Sequence, residues 1–387
     1  MKRMFILSQI EGVQAMRDST NARTGRVKRY GYLVFLTPPL LPWIGVLLWQ
    51  SFGAATLLAF FTFFYIYALI PLLDLVLGQD PVNPDRSEFE ALSEDRFYRY
   101  LTYVCVPVMA ASLLLGAWGF VHLQELGVLG KIGWAASHGL IATSLGINAA
   151  HELIHKSTRL EQRLGGALLA MVCYPGFQIE HLRGHHINVS TPKDYSSSRL
   201  GQSLFHFLPR AVFHNVLAAW TLERERLQRK SLPVFSRHNA FLRGYAVSAL
   251  IGGAFFALFG VAGLVFFLVQ SAVAIIMLET VNYLEHYGLA RRKNADGRYE
   301  RTNHTHSWNS NYLLTNMLLF QLQRHSDHHE YPARRYQVLR HFDDSPQLPA
   351  GYATMMVLAW IPPLWRKVMD PRVRAYYQDS PELLRAA

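Results

Sequence analysis

Nine of the chain's seventeen histidines fall in four short segments. Within a segment, most of them are spaced by three or four residues, which places side chains on one face of a helix. Neutral imidazole is a common ligand of iron, copper, nickel and zinc. Because one tetrahedral zinc takes about four protein ligands, nine histidines predict two metal ions held mainly by nitrogen. The nine are His151, His155, His181, His185, His186, His286, His325, His328 and His329.

The simplest alternative is that these histidines are ordinary polar residues at helix ends. A buried polar group without a partner costs about 1–3 kcal/mol. Nine of them would match or exceed the stability of a whole domain, roughly 5–15 kcal/mol. Metal ions would satisfy all nine together, so the grouping favours a metal site.

Two other functions explain part of the pattern. The segment from His151 to His155 matches the HExxH pattern of zinc proteases, including intramembrane ones, with Glu152 as general base. Histidine-rich helices also occur in zinc transporters, although transport sites usually lie near the bilayer midplane. Neither function accounts for the second and fourth segments together, which contain His181, His185, His186, His325, His328 and His329.

Long uncharged runs indicate a membrane protein. Hydrophobic residues make up 51% of the 387 residues, and a helix that spans a bilayer needs about 20 apolar residues. We therefore expect an all-α integral membrane protein with six transmembrane helices and a cytoplasmic helical cap that holds the histidines. The candidate spans are residues 31–50, 52–78, 100–121, 132–150, 241–259 and 261–281.

Charge sets the expected orientation. Seven basic residues and two acidic ones precede the first span, so the positive-inside rule puts both termini and every histidine segment in the cytoplasm. The apolar stretch near the N-terminus is too short for a signal peptide. No nucleic-acid motif is visible, and nucleic acid is not an expected partner. The expected divisions are a basic segment 1–30, spans 31–155, a cytoplasmic segment 156–238, spans 239–286 and a C-terminal cap 287–387.

Four sequence boxes carry a family resemblance. HELIHK (151–156), EHLRGHH (180–186), NYLEHYG (282–288) and LQRHSDHH (322–329) resemble those of the bacterial membrane alkane monooxygenases. PLLDLVLGQD, HSWNSNYLLTN and PQLPAGYATMM are also similar, and the resemblance runs from about Pro71 to Arg372. Xylene-type hydroxylases and membrane fatty-acid desaturases share the general plan and stay open as alternatives.

The resemblance implies a non-haem di-iron monooxygenase in the bacterial inner membrane. Such an enzyme hydroxylates the terminal methyl of medium-to-long n-alkanes to 1-alkanols with O2, and the nine histidines would bind its two iron ions. Nearby polar side chains would orient the imidazoles; these are Asp194, Glu285, Glu279, Glu152 and Asn148.

The alkane has no polar handle, so shape and burial must select it. Alkanes dissolve in membrane lipid, and a channel between the spans would deliver them to the site. We expect aromatic side chains of the second span to limit the length of the alkane, with Phe60, Phe64 and Tyr67 as the candidates.

Electrons must come from another protein, because the chain has two cysteines, no CxxC pair and no flavin or nicotinamide motif. The resemblance implies a rubredoxin, itself reduced by a rubredoxin reductase. Basic residues near the boxes could steer this usually acidic carrier. The expected docking residues are Arg291, Arg292, Lys293, Arg334 and Arg335.

Overall fold

The computed structural model describes residues 28–384. Most of the predicted basic segment, residues 1–27, lies outside the described residues. Between 28 and 384 the chain folds into helices and loops with isolated β-bridges but no strand. The expected all-helical class is confirmed.

The helices are labelled in chain order. They are α1 (Lys28–Phe52), α2 (Phe61–Leu77), α3 (Arg86–Glu94), α4 (Arg96–His122), α5 (128–154), α6 (Arg159–Ala170), α7 (176–188), α8 (Leu204–Arg229), α9 (Ala240–Glu285), α10 (Leu313–Leu318), α11 (His325–Glu330), α12 (Tyr352–Ala359), α13 (Pro362–Tyr376) and α14 (Pro381–Leu384). A short helix, Ala55–Leu58, precedes α2, and a 3-10 turn, Tyr336–Val338, follows α11.

Three helices in the described part are long and apolar enough to cross a membrane, namely α1, α4 and α9. Helix α9 has 46 residues and bends at Gly260, where φ is 65° and ψ is −160°. Glycine adopts this conformation without the clash that a Cβ would cause. The bend divides α9 into two antiparallel arms, 240–259 and 261–285, as the sequence predicted. Helix α2 is apolar but shorter.

Small residues let α4, α5 and α9 approach closely. A Cβ on Gly116 of α4 would lie 2.5 Å from the His138 ring of α5, and a Cβ on Gly119 would lie 2.5 Å from Trp134. Gly139 of α5 meets Val273 of α9 in the same way. Membrane helices associate through such close contacts because the hydrophobic effect does not drive helices together inside lipid. These three helices thus form the frame that carries the histidines.

Three helices contain π-helical turns, and residues of all three turns line one apolar cavity. They are Tyr65–Leu69 in α2, Ala142–Ile147 in α5 and His181–His185 in α7. A π-turn adds a residue to the turn and is frequent at functional sites. Each one changes which side chains of its helix face the interior.

Polar contacts fix the C-terminal helices to the end of α2 and to the loop that follows it. The Asp74 carboxylate at the end of α2 accepts hydrogen bonds from the backbone N–H and the hydroxyl of Thr315 in α10. Arg324, directly before α11, donates to the carbonyls of Leu339 and Asp80. These contacts hold α11, with its three histidines, over the ends of α5 and α9.

Candidate metal centre

All nine predicted histidines meet in one place and form two groups within residues 28–384. In each group the possible ligand atoms lie within 4.8 Å of one another. The first group is His151, His155, His181, His186 and His328, and the second is His185, His286, His325 and His329.

Helices α7 and α11 each contribute to both groups. Helix α5 brings His151 and His155 to the first group, and the end of α9 brings His286 to the second. Helix α7 places His185 in the second group and its other two histidines in the first. Helix α11 sends His328 to the first group and its remaining two to the second. The two groups are therefore adjacent.

The imidazole Nε2 atoms converge at distances that suit metal binding. In the first group, His181 Nε2 lies 3.0 Å from both His155 Nε2 and His186 Nε2. In the second, His325 Nε2 and His329 Nε2 are 2.9 Å apart. A ring nitrogen offers one proton or one lone pair, so His181 cannot make two ordinary hydrogen bonds there. Two nitrogens about 2.1 Å from one ion and at right angles would be about 3.0 Å apart.

Among the nine histidines, three further Nε2 atoms are buried without a hydrogen-bond partner in the described part of the chain. They belong to His151, His185 and His286. Leaving such a group unpaired costs about 1–3 kcal/mol. A bound cation would remove this cost, so the donor set fits two metal ions coordinated by imidazole.

Asp194 lies where an imidazole-orienting carboxylate is expected. Its Oδ2 is 2.9 Å from His185 Nδ1 and accepts a 2.6 Å hydrogen bond from the Ser197 hydroxyl. Its Oδ1 accepts from the Ser196 N–H at 3.0 Å. Burial alone would raise the pKa of the Asp194 carboxyl, but the contacts with His185 and Ser197 hold that pKa below its ordinary value. The ionised carboxylate keeps the proton of His185 on Nδ1 and leaves Nε2 facing the second group.

Glu285 is placed differently from the expectation. Its Oε2 is 3.2 Å from His325 Nε2, the nitrogen that faces the second group, and not beside the outer Nδ1. Its Oε1 accepts a 2.9 Å hydrogen bond from the Tyr352 hydroxyl. Glu285 therefore lies on the inner side of the imidazoles, and Tyr352, which the sequence reading did not single out, positions it. The PQLPAGYATMM motif, which contains Tyr352, was the available signal.

The other polar residues expected to orient imidazoles contact different groups. Glu152 pairs with Lys156 at 2.9 Å. Glu279 accepts a 2.7 Å hydrogen bond from the Tyr174 hydroxyl. Asn148 faces a cavity, and its amide nitrogen has no partner among the described residues. None of the three makes a hydrogen bond to one of the nine histidines within the described chain.

His306 was also missed by the sequence reading. Its carbonyl oxygen lies 3.3 Å from Nδ1 of His286 and can accept a hydrogen bond from it. The Ser307 hydroxyl lies 3.4 Å from the same nitrogen. Both residues belong to the HSWNSNYLLTN motif. They hold His286 with Nε2 facing the second group.

An apolar cavity ends at the histidines. His151, His181 and His325 line its inner end together with Glu285. The cavity thus reaches both histidine groups. Its remaining walls come from α2, α5, α9, α10 and α12, chiefly from Ile66, Tyr67, Ile70, Leu140, Ile147, Met277, Leu278, Val281, Leu318, Leu319, Leu322, Ala353 and Met356.

Of the three aromatic residues expected to line the channel, only Tyr67 does so. Its hydroxyl donates a 3.2 Å hydrogen bond to Sδ of Met277, which also lines the cavity. Phe64 is 59% exposed on the outer surface of the helix. Phe60 packs against Phe63 and Gly133. Neither Phe60 nor Phe64 lines the cavity. Phe60 lies before α2, and Phe64 lies before the π-turn at residues 65–69, which changes the face that the rest of α2 presents.

The five basic residues expected to bind a donor protein differ in accessibility. Arg291 is buried and donates to the carbonyls of residues 187 and 300, so it is a structural residue of its loop. Arg334 and Arg335 are largely covered and pair with the carboxylates of residues 327 and 161. Arg292 and Lys293 are exposed. Only these two of the five are accessible to a partner, and Arg292 also donates a 2.6 Å hydrogen bond to the Ser380 hydroxyl.

Comparison with known proteins identifies relatives over most of the chain. The family described as fatty acid desaturase matches residues 132–359. Alkane 1-monooxygenase 1 of Pseudomonas aeruginosa is 52% identical over 356 residues, which cover 91% of this chain and 92% of that protein. Alkane 1-monooxygenase 2 of Alcanivorax borkumensis is 51% identical over 92% of this chain and 93% of its own length. Alkane 1-monooxygenase of Acinetobacter baylyi is 39% identical over 91% of this chain and 86% of its own length.

Proposed function

This chain belongs to the alkane 1-monooxygenase family, and we propose that it hydroxylates the terminal methyl of medium-to-long n-alkanes to 1-alkanols. The reaction consumes one O2, two electrons and two protons, and it releases one water with the alcohol. The observation that carries the proposal is the apolar cavity that ends at histidines of both groups. The cavity offers an alkane a route to the metal centre, and most of the cavity wall presents no polar group to the alkane.

We assign one iron ion to each histidine group, with the nine histidines as ligands. The two convergent sets of Nε2 atoms and the unpartnered Nε2 atoms of His151, His185 and His286 support this assignment. Iron would supply the reduction and cleavage of O2, which zinc cannot perform because it has no redox chemistry.

The residues around the metal centre orient its ligands and its substrate. Asp194 fixes the ring of His185, and residue 306 fixes the ring of His286. Tyr352 holds Glu285 at the junction between the cavity and the second histidine group. The apolar walls exclude water and bind the alkane by burial, which contributes about 0.8 kcal/mol per methylene. The cavity therefore positions one end of the alkane at the histidines, and the rest of the alkane extends toward Tyr67.

We propose that a rubredoxin, reduced by a rubredoxin reductase, supplies the electrons. Arg292 and Lys293 are the exposed basic residues that support docking of an acidic donor. We further propose six spans in the inner membrane, with both termini and the metal centre on the cytoplasmic side. In this topology α2 and α5 join α1, α4 and the two arms of α9, and the divisions at residues 30, 155, 238 and 286 follow.

A zinc protease is less well supported than a monooxygenase. In the HExxH pattern, the glutamate must reach a metal-bound water to act as general base. Glu152 instead forms an ion pair with Lys156 and accepts a hydrogen bond from the Tyr336 N–H. Its carboxylate is thus occupied away from the histidines.

Metal analysis together with a labelled-oxygen assay tests the proposal. The purified protein should contain about two iron ions and negligible zinc per chain. Reconstituted with rubredoxin, its reductase and reduced nicotinamide cofactor, it should convert an n-alkane to the 1-alkanol with one oxygen atom from labelled O2. Zinc as the main metal, or product oxygen derived from water, would overturn it.

A further inference from the structure

Helix α8 presents an apolar stripe that is largely exposed. Phe205, Pro209, Phe213 and Leu217 follow one another at intervals of four residues, which places them on one face of the helix. Phe205, Phe213 and Leu217 are 55%, 61% and 46% exposed. The opposite face is buried against the protein through residues 204, 207, 211, 215 and 219. A continuous exposed apolar stripe of this kind marks an interaction surface.

The two ends of α8 are attached to the two ends of the kinked helix α9. Near the start of α8, the Tyr283 hydroxyl donates to the carbonyl of Gln202 at 2.6 Å. Near its end, Glu223 accepts a 2.7 Å hydrogen bond from the N–H of Ala240. Because α9 reverses at Gly260, Ala240 and Tyr283 lie on the same side of any membrane that its two arms cross. Helix α8 therefore runs along the membrane surface, on the side where the histidines lie.

The residues next to the stripe have the character of a membrane interface. Trp360 packs against Phe205, with ring centroids 5.7 Å apart. Trp220 packs against Phe241 at the start of the membrane arm 240–259, at 5.5 Å. Tryptophan is enriched at the level of lipid headgroups. The last turns of α8 are polar and expose Arg224 and the basic residues 229 and 230, which suits contact with headgroups.

We propose that α8 is an in-plane membrane helix that partly inserts into one leaflet of the phospholipid bilayer. The stripe at Phe205, Phe213 and Leu217 lies among the upper acyl chains, and the basic C-terminal turns lie among the headgroups. Continuity of the stripe with the lipid-facing arm 240–259 favours lipid over a second copy of the chain as its occupant. The segment between the second histidine box and α9 is then a membrane-surface element and not a freely solvated one.

Site-directed spin labelling tests the proposal in lipid nanodiscs. Cys105→Ser and Cys173→Ser remove the native thiols, and single cysteines then carry the label at Phe213, at Leu217 or at the exposed control position Gln228. The discs contain phosphatidylcholine and phosphatidylglycerol. The measurement compares collisions of the label with O2, which concentrates in the bilayer, and with a water-soluble nickel chelate.

Labels at Phe213 and Leu217 should collide with O2 several-fold more than with the nickel chelate, whereas the label at Gln228 should show the reverse. Equal nickel access at all three positions would place the stripe in water and overturn the proposal. Immobile labels that broaden one another's spectra would identify a second copy of the chain, and this result would overturn it as well.

A photoreactive residue provides a measurement that keeps both native thiols. Benzoylphenylalanine at Phe213 in the otherwise unchanged chain should cross-link to phospholipid, which mass spectrometry detects on the corresponding peptide. The same residue at Gln228 should give little lipid adduct. Cross-linking at Phe213 to protein alone would count against insertion.

Discussion

Replacing Asp194 with Asn tests how far the metal centre depends on one buried carboxylate. The two oxygens of Asp194 face three groups, the Nδ1 of His185, the hydroxyl of Ser197 and the N–H of Ser196. Asparagine has the same shape but only one acceptor oxygen. Whichever way its amide is turned, at least one donor then faces an NH2 group. The orientation of His185 loses part of its support, while the packing around it stays almost unchanged.

The expected loss follows from the role of the carboxylate. Removal of a carboxylate that orients a metal-bound histidine typically lowers metal affinity or activity about 10–100-fold, which equals about 1.4–2.8 kcal/mol at 1.4 kcal/mol per tenfold change. We expect Asp194→Asn to weaken iron binding within this range, with a comparable loss of turnover. Competition with an iron chelator measures the affinity, and alkane conversion measures the turnover.

A matched change elsewhere separates this effect from a general cost of removing a negative charge. Asp343 is fully exposed, and its one ion pair within residues 28–384 is with His341, so Asp343→Asn should leave iron affinity and turnover within twofold of the parent. If Asp194→Asn also binds iron with the affinity of the parent and turns over normally, the assigned role of Asp194 is incorrect.

Three other changes probe the cavity, the donor surface and a structural ion pair. Tyr67→Ala should increase the length of the longest alkane accepted, because the change removes part of a cavity wall, whereas Phe64→Ala should leave that length unchanged. The products formed from a series of n-alkanes of increasing length measure this limit. An equal effect of both changes would contradict the prediction. The double variant Arg292→Glu, Lys293→Glu should raise the apparent KM for rubredoxin several-fold at low salt, with a smaller difference at high salt and no loss of iron. An unchanged KM would exclude this surface as the docking site for rubredoxin. Burial alone would raise the pKa of the Glu223 carboxyl, but hydrogen bonds from two arginines and a backbone N–H lower that pKa to about 2. The ionised carboxylate therefore stabilises the fold at pH values above its ordinary pKa of 4.5, and this contribution is lost as the pH falls toward 2. Glu223→Gln should therefore lower the thermal midpoint at pH 7 and have a smaller effect at pH 3, and an equal effect at both values would show that its charge is unimportant.

The sequence by itself determined the composition of the metal centre and the class of the fold. Four histidine segments and long uncharged runs are local features, and neither depends on how the helices pack. The turn at Gly260 was also predictable, because glycine interrupts a run of apolar residues at the length of one span. The boxes around the histidines were specific enough to indicate the family to which the relatives belong.

Tertiary structure alone decided how the nine histidines divide. His185 and His186 are adjacent in sequence but enter different groups, as do His328 and His329. Neighbouring residues on a helix point about 100° apart, so a helix that lies between two groups can supply both. Sequence spacing does not reveal which helices lie on its two sides, and the division into five and four was therefore not predictable.

Tertiary structure also decided which side chains are accessible. Tyr67 and Phe64 are three residues apart and would share a face in a regular helix, yet only Tyr67 lines the cavity. The π-turn between residues 65 and 69 separates them. Arg291 and Arg292 are adjacent and of the same type, but Arg291 is buried because its guanidinium donates to the backbone carbonyls of Ile187 in α7 and of Glu300. A residue's type and position fix what it can bind, whereas the packing of distant segments fixes whether it meets metal, alkane, lipid or solvent.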